Sequence, residues 1–305
     1  MIEIRGLNKT FEGGVALQDL TLSIAAGEIF GLLGPLGSGH SAVAKLLATL
    51  GEPSAGTAII AGCDVTTAPE RVRERIGYMP DVPGAYNDMR VGEYLEFFAL
   101  AHRLGPEVGE RMQRLLELAG LEDARMRYCE ALDREQMLRL TLIRTVLHNP
   151  PVLLLDKPMS GLGPRERTQH RGLIQALHRF DGPPRTILLC SNILSDVAGL
   201  CDRIGMMSRG RLIAEGPADE IERRLTAARI IELEIEGDAA GARDLLLGQP
   251  AVSHADSHGG YVIFSLNEPA ARPLDHMDLV RKAGFTIVGY REHELDFEIL
   301  NPTTA

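Results

Sequence analysis

One stretch narrows the possible folds more than any other: Gly34-Pro35-Leu36-Gly37-Ser38-Gly39-His40-Ser41. It follows the apolar run Ile29 to Leu33 and precedes a helical pattern from Ala42 to Leu50. Strand, glycine-rich turn and helix, in that order, predict a phosphate-binding loop inside an α/β domain. Gly34, Gly37 and Gly39 permit a tight loop whose amides point inward, and the helix N-terminus adds free N–H groups of its own. The pattern also calls for Lys before the Ser, and position 40 holds His. The loop is shaped for phosphate and lacks its main cation.

The flanking segments fit the same kind of domain. Leu20, Leu22 and Ile24 alternate with polar or small residues, which predicts a half-buried strand, and Thr57 to Ala61 predicts another. Phe11 reads as part of a short segment between two strands, placed for packing or for stacking on a base. Ile76 to Met79 is a strand stopped by Pro80. Val91 to Leu104 and Glu107 to Leu121 carry apolar residues at helical spacing, a helical insertion over about residues 84–148. Asp133 followed by Gln136 predicts a capping box that opens a helix reaching about Leu147. Val152 to Leu155 is fully apolar and ends in Asp156, at the kind of strand end where α/β sheets bind ligands. A helix from Arg165 to Phe180 and strands at Thr186–Cys190, Ile204–Ser208 and Arg211–Ala214 complete a first domain, residues 1–225. In residues 226–305, Ile231, Leu233 and Ile235 alternate with glutamates, and the later pattern continues as helix, strand, strand, helix, strand. That βαββαβ order predicts a small α+β domain of ferredoxin-like arrangement.

Composition closes some routes. A net charge of −10 argues against free nucleic acid as a partner. Cys63, Cys129, Cys190 and Cys201 are widely separated, which predicts reduced thiols and neither disulfides nor zinc. With no apolar run near 18 residues, any membrane role is expected to come through a partner.

The order and spacing of these stretches resemble the ATP-binding subunit of ABC transporters, and the tail resembles the accessory domain of the ABC-2 exporter branch. The resemblance implies an ABC-type P-loop NTPase domain with a mixed sheet and a helical subdomain, followed by the ferredoxin-like domain. It implies ATP with Mg²⁺, sandwiched between two head-to-tail subunits that drive a membrane permease. It places the chain in the cytoplasm, on the inner face of the cell membrane. By the same resemblance Phe11, Gly34, Gly37, Ser38, Gly39, His40, Ser41, Ala42 and Asn192 fall at nucleotide-binding positions, and Ser41, Asp81 and Asp156 at metal positions.

Several stations depart from the family pattern. His40 replaces Lys, Asp81 the Q-loop Gln, Lys157 the catalytic Glu, Gly163 the D-loop Asp and Asn192 the switch His. The signature Leu-Ser-Gly-Gly-Gln maps onto Leu132 to Gln136, so Asp133, Arg134 and Glu135 replace a hydroxyl and two glycines. A cation about 4 Å from phosphate is worth up to about 4 kcal/mol at an effective dielectric of about 20. An imidazole of pKa near 6.5 would be only about one-quarter charged at pH 7. His40 is thus either a surface substitution that leaves weak binding or a real loss. Lys157 cannot accept a proton and is expected to pair with Asp156 or with phosphate. Asp133 and Glu135 are expected to set negative charge toward phosphate. The reading is a non-hydrolysing or very weakly hydrolysing regulatory or structural partner of a membrane permease, with no catalytic residue, in which ATP and Mg²⁺ are held weakly or not at all. A slow transport ATPase and a soluble nucleotide-sensing or scaffold module stand as alternatives.

Overall fold

The computed structural model describes residues 1–11, 14–84, 86, 88–226, 229–266 and 272–293. They form two compact units, Met1–Ser191 with Ser195–Gly216, and Asn192–Leu194 with the chain from Pro217 onward.

The first unit begins with β1 (Ile2–Phe11) and β2 (Gly14–Ile24), an antiparallel pair whose alternating apolar residues face the core. Then come β3 (Ile29–Leu33), α1 (His40–Leu47), β4 (Ala55–Ile60), β5 (Cys63–Asp64), α2 (Pro69–Arg73) and β6 (Ile76–Met79). Three helices follow: α3 (Val91–Ala101), α4 (Val108–Ala119) and α5 (Arg134–Val146). The unit continues with β7 (Val152–Asp156), α6 (Pro164–His178), β8 (Thr186–Ser191), α7 (Leu194–Val197), β9 (Arg203–Ser208) and β10 (Arg211–Pro217). One antiparallel sheet runs β2-β1-β4-β5, and a second runs β10-β9-β3-β8-β7-β6. Neighbours from β9 through β6 in that second sheet are parallel. Every residue of β3, β7 and β8 is buried, the near-continuous apolar character expected of central parallel strands. A core of Phe30, Leu32, Val43, Leu47, Leu154, Leu188 and Met207 locks α1 against the sheets.

Register puts the functional edge in place. Leu33 pairs with Ser191, and Asp156 pairs with Cys190. The carboxyl ends of β3, β7 and β8 therefore stop at one level, which gathers the glycine-rich loop and Asp156 at the same rim.

Phe11 corrects an expectation. It is the last residue of β1, opposite Gly14, rather than part of a segment between strands. It is 57% exposed, with Lys9 Nζ 5.0 Å from its ring centroid. Helix α1 also starts earlier and ends sooner than its apolar pattern suggested, because Thr49 has a positive φ of 58° that breaks the run.

The second unit has α8 (Ala218–Thr226), β11 (Arg229–Glu236), α9 (Ala239–Leu247), β12 (Val252–His258), β13 (Tyr261–Leu266), α10 (Pro273–Lys282) and β14 (Thr286–His293). Its antiparallel sheet runs β12-β13-β11-β14, the ferredoxin-like order. Ile231, Leu233, Val262 and Phe264 pack there with Ala242 and Leu246 of α9 and Val280 of α10. Asp238 caps α9 by accepting a hydrogen bond from Gly241 N at 2.9 Å. Glu292 belongs to β14, and residues 294–305 lie outside the described residues.

Candidate phosphate and metal site

The loop keeps the backbone of an anion nest. Gly37 and Gly39 take φ values of 78° and 100°, a region that side chains rarely tolerate. A Cβ on Gly34 would lie 2.5 Å from Met207 O and 2.7 Å from Ser38 Oγ, so only glycine fits where the loop leaves β3. Gly34 N donates to Ser191 O at 3.2 Å, and Ser38 N donates to Pro35 O at 3.0 Å. Among the described residues the amides of Gly37, Gly39, His40, Ser41 and Ala42 donate to no protein acceptor. They are the free donors expected at a loop and first helical turn built for an anion.

His40 is not a surface substitution. It is 2% exposed, its Nδ1 lies 2.7 Å from Ser38 Oγ, and its Nε2 has no hydrogen-bond partner among the described residues. Burial, helped by the charge of Lys157 and opposed by Asp81, brings its pKa down to about 4. The ring is neutral at pH 7, so the loop carries no cation of its own.

Ser41 and Asp156 meet as the metal reading requires. Ser41 Oγ donates to Asp156 Oδ1 at 2.8 Å. Asp156 is fully buried, and its Oδ2 has no hydrogen-bond partner among the described residues. Burial holds this carboxyl above the usual range, with the Ser41 hydrogen bond opposing that rise. A buried carboxylate oxygen without a donor is costly unless a cation faces it. One carboxylate and one hydroxyl are the protein share of a Mg²⁺ site that phosphates and water complete. The residues present therefore fit Mg²⁺ with a polyphosphate. No group of three or more His, Cys, Asp or Glu among the described residues forms an all-protein metal cage.

Lys157 has a different partner from either one expected. Its Nζ lies 3.1 Å from Asp81 Oδ2, and neither Asp156 nor a phosphate is needed to hold it. The two altered stations at positions 81 and 157 thus compensate one another in charge. Their 76-residue separation hid the pairing from sequence reading. Asp81 reaches the rim through Lys157, while Ser41 and Asp156 touch directly. Tyr78, read only as a strand residue, brings a buried hydroxyl without a hydrogen-bond partner among the described residues; burial and the charge of Asp156 push its pKa up.

The signature segment is consumed by the chain's own contacts. Asp133 Oδ1 accepts from Gln136 N at 2.8 Å, while Asp133 N donates to Gln136 Oε1 at 3.2 Å, the expected capping box of α5. Glu135 pairs with Arg139, which also donates to Gln169 Oε1 at 2.7 Å. Of the two carboxylates expected to bring negative charge toward phosphate, Asp133 thus caps a helix and Glu135 is paired at i,i+4. Arg134 Nε donates to Ser160 O at 2.9 Å, and its guanidinium crowds Gly161, where a Cβ would meet Nε at 2.5 Å. Gly163 caps α6, and its N–H donates to Glu166 Oε2 at 2.7 Å. Asn192 directly follows β8, and Phe11 stays on the antiparallel sheet beneath Lys9.

Fold and rim together define an ABC-type P-loop nucleotide-binding domain. Residues 17–160 match the ABC transporter family. The chain is 34% identical over 276 residues to the daunorubicin/doxorubicin resistance ATP-binding protein DrrA of Streptomyces peucetius, covering 88% of this chain and 81% of that one. It is 29% identical over 273 residues to the Nod factor export ATP-binding protein I of Cupriavidus metallidurans, covering 88% of each. A solved structure of the ATP binding subunit of an ABC transporter superposes with a TM-score of 0.65 at 26% identity, over 74% of this chain and 93% of that one. The chain belongs to the ATP-binding subunits of ABC transporters. Such subunits bind ATP with Mg²⁺ and pair with membrane permease subunits. Among the described residues no helix is long and apolar enough to cross a membrane.

Proposed function

We propose that this chain is the ATP-binding subunit of an ABC-2 type exporter, and that its own nucleotide site holds Mg²⁺-ATP weakly without hydrolysing it. The exporter part is supported by relatives named for daunorubicin/doxorubicin resistance and for Nod factor export. In this reading residues 1–225 are the nucleotide-binding domain, with its helical part over 84–148, and residues 226–305 are the accessory domain. A membrane permease is the partner, together with a second ATP-binding subunit, and it holds the chain at the inner face of the membrane.

One observation carries the loss of hydrolysis: Lys157, directly after Asp156, presents an ammonium paired to Asp81 at 3.1 Å. Hydrolysis needs a group that orients the attacking water and accepts its proton, and an ammonium does neither. The amides of Gly37, Gly39, His40, Ser41 and Ala42 would bind phosphate oxygens, and Ser41 with Asp156 would hold the ion. When bound, Mg²⁺ neutralises phosphate charge. His40, being neutral, adds a polar wall and no charge. Asp133, Arg134 and Glu135 cannot offer a second subunit the close glycine backbone that the family uses there. The site therefore binds without an equipped chemical step.

The test is phosphate release by the purified full chain with Mg²⁺-ATP. The rate is expected to equal that of Asp156→Asn, and turnover tenfold above that variant refutes the proposal. Co-expression with the exporter's membrane subunit is expected to yield a complex that survives affinity purification.

A further inference from the structure

We propose that Lys157 is the phosphate-binding cation of this site, relocated from the loop to the end of β7 and held in reserve by Asp81. The inference rests on the reading of the rim as a nucleotide site, and it names the ligand class: a nucleoside triphosphate, recognised by its terminal phosphates.

Four observations converge. First, the loop has an amide nest and no charge, since His40 is buried with its ring turned onto Ser38 Oγ at 2.7 Å. The amides orient the phosphate oxygens, but they leave its several negative charges without a formal counter-charge. Second, the backbone of Lys157 is pinned at the same rim. Its N–H donates to Cys190 O at 2.9 Å, its carbonyl accepts from Ser160 N at 3.1 Å, and Cys190 Sγ donates to His40 O at 3.4 Å. Third, Lys157 has a φ of 47°, a left-handed backbone that costs a non-glycine residue energy and persists where the surroundings over-determine it. Fourth, the Lys157 side chain is only 15% exposed, and the electrostatic influence of Lys157 reaches both His40 and Asp156. The nest, the metal pair and this ammonium thus share one electrostatic neighbourhood.

Asp81 explains how such a cation waits. Its side chain is 37% exposed, so the Lys157–Asp81 pair is partly solvated and can be exchanged for a stronger acceptor. A triphosphate offers more negative charge than one carboxylate. On binding, Lys157 would trade Asp81 for a phosphate oxygen, and Asp81 would turn to solvent. Lys157 then does the electrostatic work that position 40 no longer does.

The experiment is calorimetric titration of the purified full chain with Mg²⁺-ATP and with AMP. Lys157→Ala is expected to weaken ATP at least about tenfold while changing AMP less than about twofold. Lys157→Arg is expected to recover most of the ATP affinity, which also shows that the altered site still folds. Asp81→Asn is expected to keep or raise ATP affinity, because it frees the ammonium. Unchanged ATP affinity in Lys157→Ala overturns the proposal alone, as does an equal loss for ATP and AMP. A fall in Asp81→Asn as large as that in Lys157→Ala overturns it too. Wild-type protein that binds neither nucleotide overturns the nucleotide site itself and this inference with it.

Discussion

Acid should loosen the first unit through its buried histidines. Three histidines, His40, His148 and His170, have pKa values of about 4 in the folded chain against 6.5 when solvated, with burial the leading cause in each. Between those values the unfolded chain holds more protons than the folded one, so protonation favours unfolding. The contribution is complete above pH 6.5 and is lost as pH falls toward 4. From pH 7 to pH 5 each histidine gives up about 2 kcal/mol. All three together reach about 6 kcal/mol, comparable to the whole stability of a small domain. His170 is the cleanest probe, being fully buried on α6 with both ring nitrogens lacking a hydrogen-bond partner among the described residues. Leucine occupies a similar volume there and binds no proton. Urea unfolding of wild type and His170→Leu at pH 7 and pH 5 should show the variant losing about 2 kcal/mol less on acidification. Equal losses in the two proteins would refute the argument. So would a His170 resonance that titrates near its solvated value.

Three further outcomes follow from the loop and its supports. Gly34→Ala should destabilise the fold by about 2 kcal/mol or more, because the new Cβ meets the immobile Met207 O at 2.5 Å. Gly37→Ala, with no atom within 4 Å of its Cβ, should cost only the roughly 1 kcal/mol of left-handed backbone; thermal unfolding of the pair checks the ranking. Asp133→Ala should cost about 1 kcal/mol through loss of the α5 cap, with Asp133→Ser nearly neutral in the same assay. A double-mutant cycle on Asp81 and Lys157 without nucleotide should give a coupling of about 1 kcal/mol that shrinks in high salt, and zero coupling would remove the ion pair from solution.

Local chemistry already stood in the sequence. An apolar run, three glycines at fixed spacing and a helical pattern specify β3, the loop and α1, because each signal acts within a few residues. The cap of α5 was equally legible, since Asp133 and Gln136 satisfy one another across a single turn. The alternation of β11 announced a one-sided sheet for the same reason. What tertiary structure alone decided was the partner and the dielectric of each charged group. Lys157 meets Asp81 because β6 and β7 lie side by side in the sheet, bringing together residues far apart in the chain. His40 is neutral because its surroundings enclose it, where the sequence left a surface position open. Glu135 is spent on Arg139, and Phe11 stands out from the end of β1. Periodicity records which face of an element is apolar; which charges meet depends on how separate strands align, and that distance is set only once the core has closed.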